Sequence, residues 1–216
     1  MKIKNILIIL LISISMTSYA QKEISGSLSG ILGPGKYIVT GTIKVETGKS
    51  LTIVPGTTFI HEQGNYSWEI KGLFKAIGTQ KDSIYFLSKK GIEQNQRWGG
   101  LHFLEGSLAA ILDYCVVANT FIVEFTTSTS ECFAAVNVCN GNGITIKHSR
   151  ISNNYGQDSG CGIYVKESIA LIDHCRIVHN CQNGSIKGIG IFLEDSNNSK
   201  IMNSVIAYNK NGLGSC

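Results

Sequence analysis

The chain has 216 residues, with 19 basic against 15 acidic side chains and 16% charged residues, a balance too apolar and too weakly charged for a disordered chain. Its 24 glycines and 2 prolines follow no three-residue period, which excludes collagen and points to a turn-rich β protein. A net charge of +4 is too mild to imply a nucleic-acid partner.

Lys2 and Lys4 precede the apolar run from Ile6 to Met16, and Thr17-Ser18-Tyr19-Ala20 leads to a cleavage point before Gln21. Charge, apolar core and small residues in that order predict a signal peptide over 1–20 and export to the periplasm or the extracellular space. The run is shorter than a bilayer requires, and no later stretch reads as a membrane span. Residues 21–50 are expected to hold an N-terminal cap and the first strands, and 51–216 the repeats.

After Gln21 no window shows helical periodicity. Short runs of period two replace it: Tyr37-Ile38-Val39, Ile43-Lys44-Val45, Leu51-Thr52-Ile53-Val54, Thr58-Phe59-Ile60 and Ile84-Tyr85-Phe86, separated by turn pieces such as Pro34-Gly35 and Pro55-Gly56. Further along, repetition takes over. The segments starting at Gly100, Ala135, Gly162 and Gly190 align at spacings of 35, 27 and 28 residues. A second set, starting at Leu112, Ile146, Ile172 and Ile201, advances with them at 34, 26 and 29. Two strands at constant phase with loops of variable length are what a coil of parallel strands requires, and a sandwich has no reason to repeat in this way. Asn119, Asn154, Asn180 and Asn209 follow the second strand of each unit and predict a ladder of stacked amides, although Asn119 comes one position early.

Leu51-Thr52-Ile53-Val54-Pro55-Gly56-Thr57, the segment from Ile70 to Thr79, Ile84-Tyr85-Phe86 and Trp98-Gly99-Gly100-Leu101-His102-Phe103 resemble the right-handed parallel β-helix repeat proteins, the pectin-lyase-like superfamily, in its secreted bacterial form. The resemblance implies an all-β solenoid of about seven or eight rungs, from a family whose members bind or cleave polysaccharides or serve as surface modules. Fold does not choose among these roles.

Three outward columns carry candidate chemistry. His102, Asn137, Tyr164 and Phe192 share one; its rings could form a sugar platform or could simply be cross-strand pairs. Glu105, Asn140, Glu167 and Asp195 share a second, in which Glu167 and Asp195 stand one rung apart, as a catalytic pair, as ligands for calcium of the kind lyases of the superfamily use, or as solvated carboxylates. Arg150 and Arg176 stack in a third between Val116 and Val205; an anionic sugar would bridge them, or the neighbouring column Asp113, Lys147, Asp173 would neutralise them. No other cofactor and no metal centre is expected. His174, Cys175, His179 and Cys181 resemble a zinc set only in composition, since Cys175 should point inward while His174 sits at a corner.

Seven cysteines leave at least one unpaired in a monomer, the expected state. Cys115 and Cys175 fall in one inward column two rungs apart, beyond disulfide reach, and read as buried core residues. Cys132, Cys161 and Cys181 lie in the variable segments, so Cys132 with Cys161, or Cys161 with Cys181, are the candidate bridges. Gly212-Leu213 falls 22 residues after Gly190-Ile191, where another rung should start, and no cap sequence follows; the coil is expected to lack its C-terminal cap, as in a fragment of a longer product. Because no acid, base and orienting group come together, the expected function is a non-catalytic, secreted or surface β-helix module that binds glycans or mediates surface contact. The alternative is a polysaccharide lyase or glycoside hydrolase acting on acidic polysaccharide.

Overall fold

Alternating apolar residues, many β-branched, leave each short segment with one buried face and too few residues to bury it alone. In the computed structural model, which describes residues 22–62, 64, 66–89, 98–122, 134–157, 162–183 and 189–211, such segments coil into stacked turns whose paired strands are all parallel. We number the sheets in the order the chain visits them.

Sheet 1 contains Tyr66–Ile70, Trp98–Phe103, Val136–Cys139, Ile163–Lys166 and Ile191–Glu194. Sheet 2 runs Gly30–Leu32, Ser50–Ile53, Leu73–Ile77, Ala110–Asp113, Ile144–Lys147, Ala170–Asp173 and Lys200–Met202, seven strands and one per turn. Sheet 3 holds Thr57–His61, Ile84–Ser88, Cys115–Ala118, Arg150–Ser152, Arg176–Val178 and Val205–Ala207. The long strand Gly35–Val45 begins in sheet 3 and ends in sheet 1, joining them. A narrow sheet 4 of Phe121–Ile122, Tyr155–Gln157, Cys181–Asn183 and Lys210–Asn211 is added in the later turns. The expected register holds: Leu101, Val136, Ile163 and Ile191 are direct partners in sheet 1, and Leu112, Ile146, Ile172 and Ile201 in sheet 2. Within 21–50, the strands Lys22–Ser27 and Gly30–Leu32 already pair in this stack.

The interior changes along the axis. Early turns are filled by Phe59, Trp68, Phe74, Phe86 and Phe103, with Phe59 edge-on to Trp68 at 5.0 Å between ring centroids; later turns stack Ile146, Ile151, Ile172 and Ile177. In the last described turn Ile201 and Ile206 are 41% and 46% exposed, although their partners Ile172 and Ile177 are fully buried, because no described strand stacks beyond them.

In the later turns the corners are made by residues with left-handed backbone, a conformation that costs about 1 kcal/mol outside glycine and recurs because the coil repeats. Asn140, Glu167 and Asp195 turn the chain from sheet 1 to sheet 2. Tyr114, His148, His174 and Asn203 turn it from sheet 2 to sheet 3, and Asn119, Asn153, His179 and Tyr208 from sheet 3 to sheet 4. The amide ladder lies inside this last corner, where the Asn154 Nδ2 donates to Asn180 Oδ1 at 3.0 Å and the Asn180 Nδ2 to Asn209 Oδ1 at 2.9 Å. Asn119 is not in it. Thr120 takes that place, its backbone N–H donating to Asn154 Oδ1 at 3.1 Å, while Asn119 occupies the corner position of Asn153; the one-residue misfit in the sequence records this exchange. The ladder also explains two glycines: a Cβ on Gly190 would lie 2.8 Å from Asn209 Nδ2, and one on Gly162 would meet the Gly190 carbonyl oxygen.

A second ladder follows the corner between sheets 2 and 3. The Ser149 hydroxyl accepts from the Cys115 N–H at 2.9 Å, and the Ser204 hydroxyl accepts from the Cys175 N–H at 3.0 Å. Cys115 and Cys175 are buried free thiols, as expected.

Candidate functional site

The first candidate column is in register as expected, but its side chains are covered. His102, Asn137, Tyr164 and Phe192 are successive partners on the outer side of sheet 1, yet His102 is 4% and Tyr164 1% exposed. Tyr164 packs with Ala134, Cys139 and the half-buried Phe192 in an apolar cluster separate from the interior, and its ring stacks on Phe192 at 5.3 Å. Its hydroxyl donates to Glu194 Oε2 at 2.7 Å, and Glu194 also meets Lys166 Nζ at 3.4 Å. His102 Nε2 donates to the Gly99 carbonyl at 2.6 Å, and burial pushes its pKa down. A ring enclosed in this way has no free face for a sugar, so the platform expected of His102 and Tyr164 is closed. Alternation along a strand tells which side of the sheet a residue takes, not what crosses above it.

The second column opens onto solvent. The left-handed turns place Glu167 and Asp195 at equivalent positions of consecutive rungs, held by the Glu167 N–H donating to the Glu194 carbonyl at 3.0 Å. Both carboxylates line one open pocket of about 370 Å³ with Gly141, Asn142, Ser168, Ile169, Asn197 and Asn198. Asn142, Asn197 and Asn198 are exposed, and Ile169, 49% exposed, supplies an apolar patch among them. Ser168 is turned away, donating to the Gly141 carbonyl at 2.9 Å. Among the described residues neither carboxylate is engaged by an ion pair or a side-chain hydrogen bond, so both are open to a ligand. Glu105, two turns before Glu167 in the same column, does not line the pocket. Asn142, Ser168, Ile169, Asn197 and Asn198 escaped the sequence reading; the polar run Asp195-Ser196-Asn197-Asn198-Ser199 was the signal that could have found them.

In the third column Val116, Arg150, Arg176 and Val205 are successive partners, and both arginines are exposed. Neutralisation by the neighbouring column does not occur as expected. Asp113 Oδ1 receives His148 Nδ1 at 2.9 Å and Asp173 Oδ1 receives His174 Nδ1 at 2.8 Å, because the left-handed corner brings each imidazole back over a carboxylate.

The zinc set does not assemble: Cys175 is buried inside, His174 is outside, and Cys181 is disulfide-bonded. Cys139, absent from the candidate bridges, is disulfide-bonded as well; Cys132 and Cys161 lie outside the described residues. Among the described residues no group of three or more His, Cys, Asp or Glu could hold a metal ion, and no helix is long and apolar enough to cross a membrane.

Comparison with known proteins finds one family, the right-handed β-helix region, whose model matches residues 80–215. No curated protein and no solved structure matches. The match spans more than half of the chain and covers the turns whose parallel register is described above, so this chain belongs to the right-handed β-helix family.

Proposed function

We propose that the chain is an exported β-helix module that binds a glycan in the pocket between sheets 1 and 2 and does not turn it over. The observation that carries this reading is the lining itself. Two unengaged carboxylates and three exposed amides surround one exposed aliphatic side chain, which suits the hydroxyls and the C–H face of a sugar ring. Among the described residues no Lys, Arg or His lines the pocket, which supports binding without turnover. Export is supported by the N-terminal sequence and by disulfides at Cys139 and Cys181, which fit an oxidising compartment.

A glycan array followed by calorimetry on the best oligosaccharide tests the reading. Glu167→Gln, Asp195→Asn and Asn197→Ala should each weaken binding about tenfold, the worth of one buried polar contact; unchanged affinity in all three would sink the assignment of the pocket. The two carboxylates on consecutive rungs favour a second reading, a polysaccharide lyase or glycoside hydrolase. New unsaturated or reducing ends from an acidic polysaccharide, lost in Glu167→Gln or Asp195→Asn, would establish it instead.

A further inference from the structure

We propose that the ridge carrying Arg150 and Arg176 is a second ligand site, separate from the pocket, that takes a sulfated or uronic-acid polysaccharide lying along the solenoid axis. Arg150 and Arg176 are direct partners in sheet 3, which sets their Cα atoms about 4.8 Å apart. Like charges placed opposite each other are destabilising, and among the described residues no acidic residue shares their column, which reads Lys36, Thr58, Tyr85, Val116, Arg150, Arg176 and Val205. The carboxylates of the neighbouring column, Asp113 and Asp173, are bonded to His148 and His174, and Asn203 adds a bond to Asp173 Oδ1 at 3.0 Å. Among the described residues neither guanidinium makes an ion pair; the only side-chain bond is from Arg150 Nε to Ser152 Oγ at 3.0 Å. Two planar forks one rung apart are thus left facing solvent, a geometry that clamps a sulfate or carboxylate between them.

The surroundings favour a sugar polymer over a small ion. His148 and His174, two residues before each arginine, stack at 5.4 Å along the same edge, and His148 stacks on Tyr114 at 4.6 Å. Their Nδ1 atoms are tied to the aspartates, while the two imidazole side chains remain 38% and 55% exposed. In the arginine column itself Tyr85 and Val205 are 38% and 48% exposed. Cationic forks with exposed apolar side chains on either side along one straight column match a chain that alternates anionic groups with sugar faces.

Affinity electrophoresis in dextran sulfate, polygalacturonate and neutral dextran gels tests this. Retardation by the two anionic polymers and none by dextran is expected, with Arg150→Gln/Arg176→Gln weakening it at least tenfold. Arg150→Lys/Arg176→Lys, which keeps the charge and loses the fork, should fall between. Lys36→Gln, four turns away on the same sheet, should match the wild type. Equal retardation of the double Gln variant and the wild type would overturn the proposal. So would equal loss in Lys36→Gln, or binding of a short DNA duplex as tight as that of dextran sulfate at the same salt, since either would mark a general polyanion effect.

Discussion

Acidification should loosen this fold through its buried imidazoles, His61 and His102, and His61 gives the magnitude. Its ring is 1% exposed, lies flat on Trp98 at 3.9 Å, receives the Trp68 Nε1–H at Nε2 (2.9 Å) and donates from Nδ1 to the Leu87 carbonyl at 2.9 Å. Both nitrogens are committed in the neutral form, and burial lowers its pKa from 6.5 to about 3. The unfolded chain therefore takes up a proton near pH 6.5 that the folded protein refuses until about pH 3. Stability from this residue is complete above pH 6.5 and is lost as pH falls through that window. The loss is about 2.5 kcal/mol between pH 7 and 4.5 and approaches about 5 kcal/mol below pH 3. For a chain of this size the first figure lowers Tm by about 5–10 °C. Urea unfolding at pH 7 and 4.5, followed by far-UV circular dichroism, measures it. His61→Gln, whose amide can accept from Trp68 and donate to Leu87, should be less stable at pH 7 but lose about 2.5 kcal/mol less than the wild type on acidification. Parallel losses in the two proteins would refute the argument.

Other consequences follow from the ladders and the pocket. Asn180→Ala orphans the Asn154 N–H, the Asn154 Nδ2 and the Ile151 carbonyl and should cost about 3–5 kcal/mol in urea unfolding, against about 1–2 for Asn209→Ala at the end of the ladder; equal costs would contradict the stacked arrangement. Gly162→Ala presses a methyl group onto the Gly190 carbonyl and should cost about 1–3 kcal/mol, which a thermal melt would detect. Burial pushes both the Cys115 and Cys175 thiols up, so mass-mapped alkylation should modify neither in the native protein and both in 8 M urea (about the limit of full unfolding for a domain of this size); native labelling of either would show that the interior is open there.

How far the sequence could be read depends on which contacts repeat. Partners such as Leu101, Val136, Ile163 and Ile191 were legible because every turn must set the same inward residue above the last, so spacing alone fixes register. The pairing of Arg150 with Arg176 and the joint placement of Glu167 and Asp195 were legible for the same reason. What was not legible came from events between turns or at corners. Nothing in the alternation of Tyr164 and Val165 discloses that the outer side of sheet 1 is covered. The Asp113, Lys147, Asp173 column looked able to neutralise the arginines because left-handed corner geometry, which folds His148 back over Asp113, has no mark in residue type: Tyr114, His148, His174 and Asn203 all adopt it. Thr120 in place of Asn119 was visible only as a misfit of one position.

The pocket between sheets 1 and 2 is most directly tested by hydrogen–deuterium exchange on the protein with and without the oligosaccharide selected on the array. New protection is predicted at 141–142, 167–169 and 195–198, around Glu167 and Asp195, and reduced by Glu167→Gln at the same oligosaccharide concentration. Protection confined to any other part of the coil, with those three segments unchanged, would contradict it.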